Sequence, residues 1–127
     1  MREIKFRGKD KSTNQWVYGY FVGVSGDDVV IIPTGQVNYD LGCIGVSNSC
    51  YCHKRSFGQF TGLTDKNGKE IYEGDIIESR NFIRHVIMYD NNRASFVGDW
   101  KDVSTISQDW ILKYDKKVIG NTHDWIL

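Results

Sequence analysis

Apolar and polar residues alternate along much of this chain, which is the period of a pleated strand with one buried face. The pattern starts at residues 4–7, where Ile4 and Phe6 alternate with Lys5 and Arg7, and a polar turn over residues 8–14 follows. It is longest over residues 16–24. Trp16, Tyr18, Tyr20, Val22 and Val24 fall on one face there, and Val17, Gly19, Phe21 and Gly23 on the other. The two glycines leave that second face shallow, which suits a bend or a close neighbouring strand. Ser25, Gly26, Asp27 and Asp28 predict a hairpin into a strand over residues 29–32. Pro33 ends that strand because it has no N–H to give to a ladder. Residues 34–55 read as irregular with one short strand, and residues 56–61 as a strand. Asn67-Gly68 is a strong turn pair, and Glu73-Gly74-Asp75 predicts a second turn before a strand over residues 76–78. Residues 83–89 alternate again, turn at residues 90–93, and return over residues 94–97. The segment 104–114 reads two ways. Ser104 or Thr105 caps a short helix with Ile106, Trp110 and Tyr114 at helical spacing, or Trp110, Leu112 and Tyr114 alternate as a strand. Residues 118–120 predict a last short strand.

Composition supports this reading. Ile and Val total 24 residues against five for Leu and Ala together, and Ala94 is the sole alanine. β-branched side chains lose rotamer freedom in helices but suit a pleated sheet. Seven Tyr, six Phe and four Trp push the same way. The chain is therefore expected to be mainly β. Its 127 residues fit one domain, able to build a core without disulfide or metal staples. Lys plus Arg and Asp plus Glu are both 16, so no global field pulls it toward nucleic acid or an anionic membrane. Local asymmetry exists: Arg2, Lys5, Arg7, Lys9 and Lys11 outnumber Glu3 and Asp10 at the start. The first residues lack the apolar core of a signal peptide, and no apolar run approaches the ~20 residues that cross a bilayer. Three cysteines without an export signal point to reduced thiols in a cytoplasm.

Candidate chemistry is sparse. The glycine-rich stretch 58–77 lacks the spacing of a phosphate-binding loop and does not lead into a helix. Gly62, Gly68 and Gly74 are read instead as three sharp chain reversals with Tyr72 packed beneath them. Glu70, Glu73, Asp75 and Glu78 cluster in sequence, and two of them offer acid/base chemistry only if their environments split their pKa values. The simpler reading has Asp75 or Glu73 accept backbone N–H bonds in the turn. Cys43, Cys50, Cys52 and His53 supply the donor types of a tetrahedral zinc site, but C-x6-C-x-C-H lacks a knuckle, so neither metal nor cofactor is expected. His85 and His123 stand alone, and His85 reads as a structural histidine. Basic residues interleaved with aromatics are the signature of nucleic-acid contact, and Lys5, Arg7, Trp16, Tyr18, Tyr20, Lys54, Arg55 and Arg84 are its candidates. The competing reading puts the aromatic rings in the core.

Three motifs carry a resemblance. Residues 4–9 (Ile-Lys-Phe-Arg-Gly-Lys) lead to Trp16-Val17-Tyr18-Gly19. The central motif holds Gly58, Thr61, Gly62, Asp65, Asn67, Gly68, Tyr72, Gly74 and Asp75. Val118-Ile119-Gly120-Asn121 closes the set. In this order and over the full length they resemble the YopX-like family of phage and prophage proteins. The resemblance implies a small SH3-like β-barrel or roll encoded by a temperate phage or integrated element. It implies no activity. The tail from Thr122 and the Cys50–His53 insert depart from the family pattern. The combined expectation is one domain over residues 1–127, mainly β, an SH3-like barrel with a short C-terminal helix near residues 104–112. Functionally it is a non-catalytic accessory protein of the bacterial cytoplasm that binds a protein partner, host or viral. The alternative is a nucleic-acid-binding barrel in phage replication or gene control. An enzyme would need a concave pocket lined by the acidic cluster or His85. The many aromatics and exposed strand edges suggest a homo-oligomer, and no membrane association is expected.

Overall fold

The longest alternating run becomes the longest strand. In the computed structural model, which describes residues 3–35, 37–38, 45–46, 49–99 and 103–125, β1 (Phe6–Lys9) precedes β2 (Trp16–Ser25). The two pair antiparallel, with Phe6 opposite Gly19 and Lys9 opposite Trp16. β3 (Asp28–Pro33) returns beside β2 through a turn in which Gly26 takes φ 62°, a left-handed value that glycine adopts without Cβ strain. β4 (Val37–Asn38) pairs with β5 (Gly45–Val46). β6 (Cys50–His53) lies along the outer side of β3. A 3-10 turn over Lys54–Ser56 then leads to β7 (Gly58–Thr64), whose first two residues pair with β1.

The chain divides into two compact units. One spans Ile4–Gln59, and the other comprises Met1–Glu3 with Phe60–Leu127. In the N-terminal unit the strands run in the order β6-β3-β2-β1-β7. The segment after β1 reaches the outer edge of β6, where Asp10 bridges to Cys52 and Lys11 N–H donates to the Tyr51 carbonyl at 2.9 Å. The core holds Val29, Ile31 and Cys52, with Val17, Cys50 and Phe57 packed on it. Gly19 sits where β3 passes closest, since a Cβ there would lie 1.9 Å from the Ile32 carbonyl oxygen. The register of β2 shifts between Phe21 and Gly23, so Gly23 faces Val30 and Val24 faces Val29. This bulge breaks the uninterrupted alternation read from residues 16–24, because one extra residue swaps the faces beyond it.

In the C-terminal unit the later residues of β7 pair with β8 (Glu70–Tyr72). β9 (Asp75–Glu78), β10 (Arg84–Asp90), β11 (Ser95–Asp99) and β12 (Val103–Thr105) follow. Helix α1 (Gln108–Lys113), β13 (Lys117–Asn121) and helix α2 (Thr122–Trp125) complete it. The antiparallel order is β12-β11-β10-β9-β13. Ile71, Ile77, Ile87, Ile106 and Ile111 form the core, with Leu63, Phe96, Trp110 and Val118 against it.

The central motif is a backbone clasp in this unit. Buried Asp65 accepts N–H bonds from Asn67 (2.8 Å) and Lys69 (2.9 Å) on Oδ1, and from Val118 of β13 (3.0 Å) on Oδ2. Gly68 takes φ 82° between those donors. The turn role read for Asp75 or Glu73 falls to Asp75, which accepts the Tyr72 N–H at 2.8 Å. Thr61 Oγ1 donates to the Ile71 carbonyl at 2.8 Å and accepts the Leu63 N–H at 3.2 Å. Buried Tyr72 packs against Phe60 with ring centroids 5.4 Å apart.

The mainly β expectation holds, but among the described residues the strands form open antiparallel sheets and no closed barrel. Alternation fixes which face of a strand is buried; closure depends on where the outermost strands end, which no local pattern encodes. Gly62 is not a reversal. It lies within β7 at φ 86°, at a register shift between Phe60 and Thr64. The C-terminal helix starts later than read, because residues 103–105 pair with β11 as β12. Its cap is Ser107, whose side chain accepts the Trp110 N–H at 3.2 Å.

Candidate functional site

Strand register decides which of the aromatic and basic residues meet. Arg7 lies opposite Tyr18, Lys9 opposite Trp16, Tyr20 opposite Ile32, Val30 opposite Tyr51 and Asp28 opposite His53. Directly opposed residues share a face, so Arg7, Lys9, Trp16, Tyr18, Tyr20, Tyr51 and His53 all project from one side of the N-terminal sheet. The other side carries Ile31, Val29 and Cys52. Tyr18, Tyr20 and Tyr51 are 42 %, 41 % and 50 % exposed, so the reading that places the tyrosines in the core is corrected. A two-sided strand with Gly19 on the inner face packs its core through the neighbouring strands and leaves its rings outside.

Trp16 is half-buried beneath two cations. The Arg7 guanidinium lies 4.3 Å and the Lys9 ammonium 5.4 Å from the indole centroid. Such contacts contribute about 0.5–2 kcal/mol each. Arg7 is buried in this stack and serves to hold the indole. Lys5 precedes β1, and Lys54 and Arg55 are exposed in the turn that follows His53. Residues 4–59 carry six basic against four acidic residues, and Lys11 pairs with Asp28 at 2.9 Å. Arg84 belongs elsewhere. It is on β10 in the C-terminal unit, where its Nε donates to Glu78 Oε2 at 2.9 Å.

The cysteine cluster is divided by the same strand geometry. Cys43 lies outside the described residues. Cys50 and Cys52 face the core side of β6, and adjacent residues of a strand point oppositely, so His53 stands on the other face from both. Cys52 is fully buried, and burial pushes its thiol up to about 12, with the charges of Asp10, Cys50 and Asp28 adding to the rise. Burial and the neighbouring Asp10 carboxylate raise Cys50 as well. Hydrogen bonds from Ser12, side chain and backbone, hold Asp10 below the usual carboxylate range. Among the described residues no three metal-ligating side chains converge.

A second site is one that sequence reading missed. In the C-terminal unit a cavity of about 240 Å³ is lined by Ser79, Asn81, Ile83, His85, Trp110, Tyr114 and Lys116. His85 comes from β10, Trp110 from α1, Tyr114 from its C-cap, and Lys116 from the residue before β13. Gly98 of β11 makes room for the imidazole, since a Cβ there would sit 3.0 Å from His85 Cβ. Lys116 Nζ lies 3.3 Å from His85 Nδ1, 4.4 Å from the Trp110 ring centroid and 6.0 Å from that of Tyr114. The imidazole meets the indole edge-on at 5.2 Å. Burial lowers the His85 pKa, the Lys116 charge lowers it further, and Asp99 opposes. Burial lowers Lys116 too. With Lys116 as the ammonium, the Nδ1 of a neutral His85 is the acceptor of this contact. Lys116 sits in the polar run Tyr-Asp-Lys-Lys, which reads as solvated surface and gives no hint of a buried cation. His85, expected to be a structural histidine, is one of the residues that line this cavity.

Comparison with known proteins places the chain. The family described as "YopX protein" matches residues 5–125, nearly the whole length, so the chain belongs to the YopX family. Among solved structures it is similar to protein EF1440 from Enterococcus faecalis, at 27 % identity and a TM-score of 0.65, over 98 % of this chain and 96 % of that one. No curated protein matches.

Proposed function

We propose that the protein is a non-catalytic binding module whose ligand is an unpaired nucleic-acid strand, carried on the aromatic face of the N-terminal sheet. The observation that carries this is the register that gathers Trp16, Tyr18, Tyr20 and Tyr51 on one face with Lys9 among them and Lys54 and Arg55 following at the end of β6. Exposed rings offer every base a stacking surface, and cations interleaved with them meet phosphates. Tyr18 and Tyr20 are two residues apart on β2, so their Cα atoms stand about 7 Å apart. That is about twice the ~3.4 Å spacing of stacked bases along one strand, which leaves room for a base beside each ring. The setting that family membership suggests is an accessory role for a temperate phage or prophage inside its bacterial host.

The test is fluorescence anisotropy of labelled single- and double-stranded DNA and RNA oligonucleotides at two salt concentrations. Three phosphate contacts from Lys9, Lys54 and Arg55 predict a loss of about 20-fold in single-strand affinity between about 50 and 200 mM salt. Tyr18→Ser and Tyr20→Ser each remove one stacking surface worth about 1–3 kcal/mol, a fall of at least about 5-fold with the fold intact by circular dichroism. No binding at the lower salt, or binding indifferent to both substitutions, retires this reading.

A protein partner is the second reading, and a specific observation favours it. Phe21, Val22 and Val24 are all exposed at the far end of β2. These apolar side chains have nothing to offer a phosphate backbone, whereas exposed apolar patches mark protein interaction surfaces. A second copy of the chain is the simplest such partner, read by sedimentation over a concentration series.

A further inference from the structure

We propose that the cavity between β10, α1 and the start of β13 is a binding site for a small oxyanion, a carboxylate or phosphate on a compact apolar body, held by Lys116. This site lies in the C-terminal unit and is independent of the sheet-face reading.

Lys116 is a buried cation. Lys116 is 3 % exposed, and among the described residues no carboxylate lies within ion-pair reach of its ammonium. Its neighbours are a neutral imidazole and two aromatic rings. Ring faces attract an ammonium but recover only part of the hydration lost on burial, which is why buried charges ordinarily come with a counter-ion. A methionine would fill the same space without that cost. A counter-ion can reach it from the cavity, which opens to solvent and which, among the described residues, no acidic side chain lines.

A second cation stands near, since the Lys113 ammonium lies 5.5 Å from the Tyr114 ring centroid. Arg80 pairs with Asp115 at 3.3 Å, and Asp99 acts on His85 from β11 without lining the cavity. The lining also sorts by chemistry. Lys116, His85, Ser79, Asn81 and Tyr114 supply polar groups, while Ile83 and Trp110 make an apolar wall. The loop over residues 79–83 is braced by hydrogen bonds: Ser79 N–H donates to the Ile83 carbonyl, Phe82 N–H donates to the Ser79 carbonyl, and the Ser79 hydroxyl bonds to Asn81 Oδ1. At the tip Phe82 holds φ 66°, unusual for a bulky side chain, with its ring 80 % exposed. A cavity of about 240 Å³ has room for a benzoate or a phosphate. A metal ion is disfavoured, because the Lys116 ammonium repels a cation and no group of three metal-ligating side chains converges among the described residues.

The experiment is ¹H–¹⁵N NMR of the full chain titrated separately with sodium benzoate, inorganic phosphate and choline chloride at fixed ionic strength, up to about 20 mM, against an expected Kd of about 1 mM. Either anion should give saturable shifts at the Trp110 indole N–H and the His85 ring and should raise the apparent pKa of His85, with choline inert. Saturation by benzoate alone assigns a carboxylate on an apolar body, and by phosphate alone a phosphate. Lys116→Met should abolish the saturable shifts. The proposal is overturned if neither anion shifts Trp110 and His85 saturably, if choline shifts them equally, or if the shifts survive in Lys116→Met. Should that variant fail to fold, the rise or constancy of the His85 pKa in the unaltered protein decides the question alone.

Discussion

Replacing Asp65 by alanine removes the carboxylate that accepts three backbone N–H bonds at once. Oδ1 holds the Asn67 and Lys69 N–H groups inside the hairpin loop, and Oδ2 holds Val118 N–H on β13, which is 53 residues away in sequence. A hydrogen bond to a charged group contributes about 1.5–3 kcal/mol, and a donor left buried without a partner costs about 1–3 kcal/mol. Asn67 and Lys69 are exposed, so their N–H groups regain water and count at the low end. Val118 is half-buried and counts nearer the top. The expected loss is therefore about 4 kcal/mol, a large share of the ~5–15 kcal/mol that holds a domain together. Asp65→Asn is the informative companion. It keeps Oδ1 for the loop but turns an NH₂ toward Val118 N–H, so about half the loss should remain. Urea denaturation followed by far-ultraviolet circular dichroism measures both, and the alanine variant should melt about 15 °C lower. An alanine variant within about 1 kcal/mol of the unaltered protein would show that the clasp is dispensable. An asparagine variant as damaged as the alanine one would show that Oδ2, not the hairpin loop, carries the whole effect.

Gly19→Ala should destabilise the N-terminal unit severely. The new Cβ would lie 1.9 Å from one backbone atom and 2.9 Å from another on β3, and backbone cannot swing aside as a side-chain tip does. The cost should exceed the ~1–3 kcal/mol of ordinary overpacking, and amide exchange over β1–β3 should rise; unchanged protection there would contradict the register. His85 gives a pH signature. Its folded pKa lies below the ordinary 6.5, so the unfolded chain takes up that proton first as pH falls. Its contribution is intact above about pH 6.5 and is lost as pH drops through the folded value. Lys116, also lowered, acts between its folded value and 10.5, and Asp10 acts below 3.8. Urea midpoints measured across mildly acid pH should therefore decline in the unaltered protein and decline less in His85→Gln. Equal slopes would remove His85 as the cause.

The residues that bend or pleat the chain locally were legible in the sequence. β-branched and aromatic enrichment set the strand-rich class, because those side chains fit a pleat. Asn67-Gly68 and Glu73-Gly74-Asp75 turn where they were read to turn, because glycine alone takes left-handed φ freely. The motif residues Asp65 and Asp75 were identifiable as a set. That Asp65 reaches β13 was not, since a hydrogen bond across 53 residues leaves no local trace. Short-range reading missed the bulge in β2, the later helix cap at Ser107, and the open sheets.

Sequence by itself determined the strand-rich class, the turns and the family. Tertiary structure alone decided the sites. Tyr51 joins Tyr18 and Tyr20 only because β6 pairs with β3 in one register; a shift of one residue would send it to the opposite face. Lys116 is a buried cation only because the chain after α1 turns inward beside His85 and Trp110. In sequence it is one lysine among several, because burial is set by what packs over a residue rather than by its immediate neighbours.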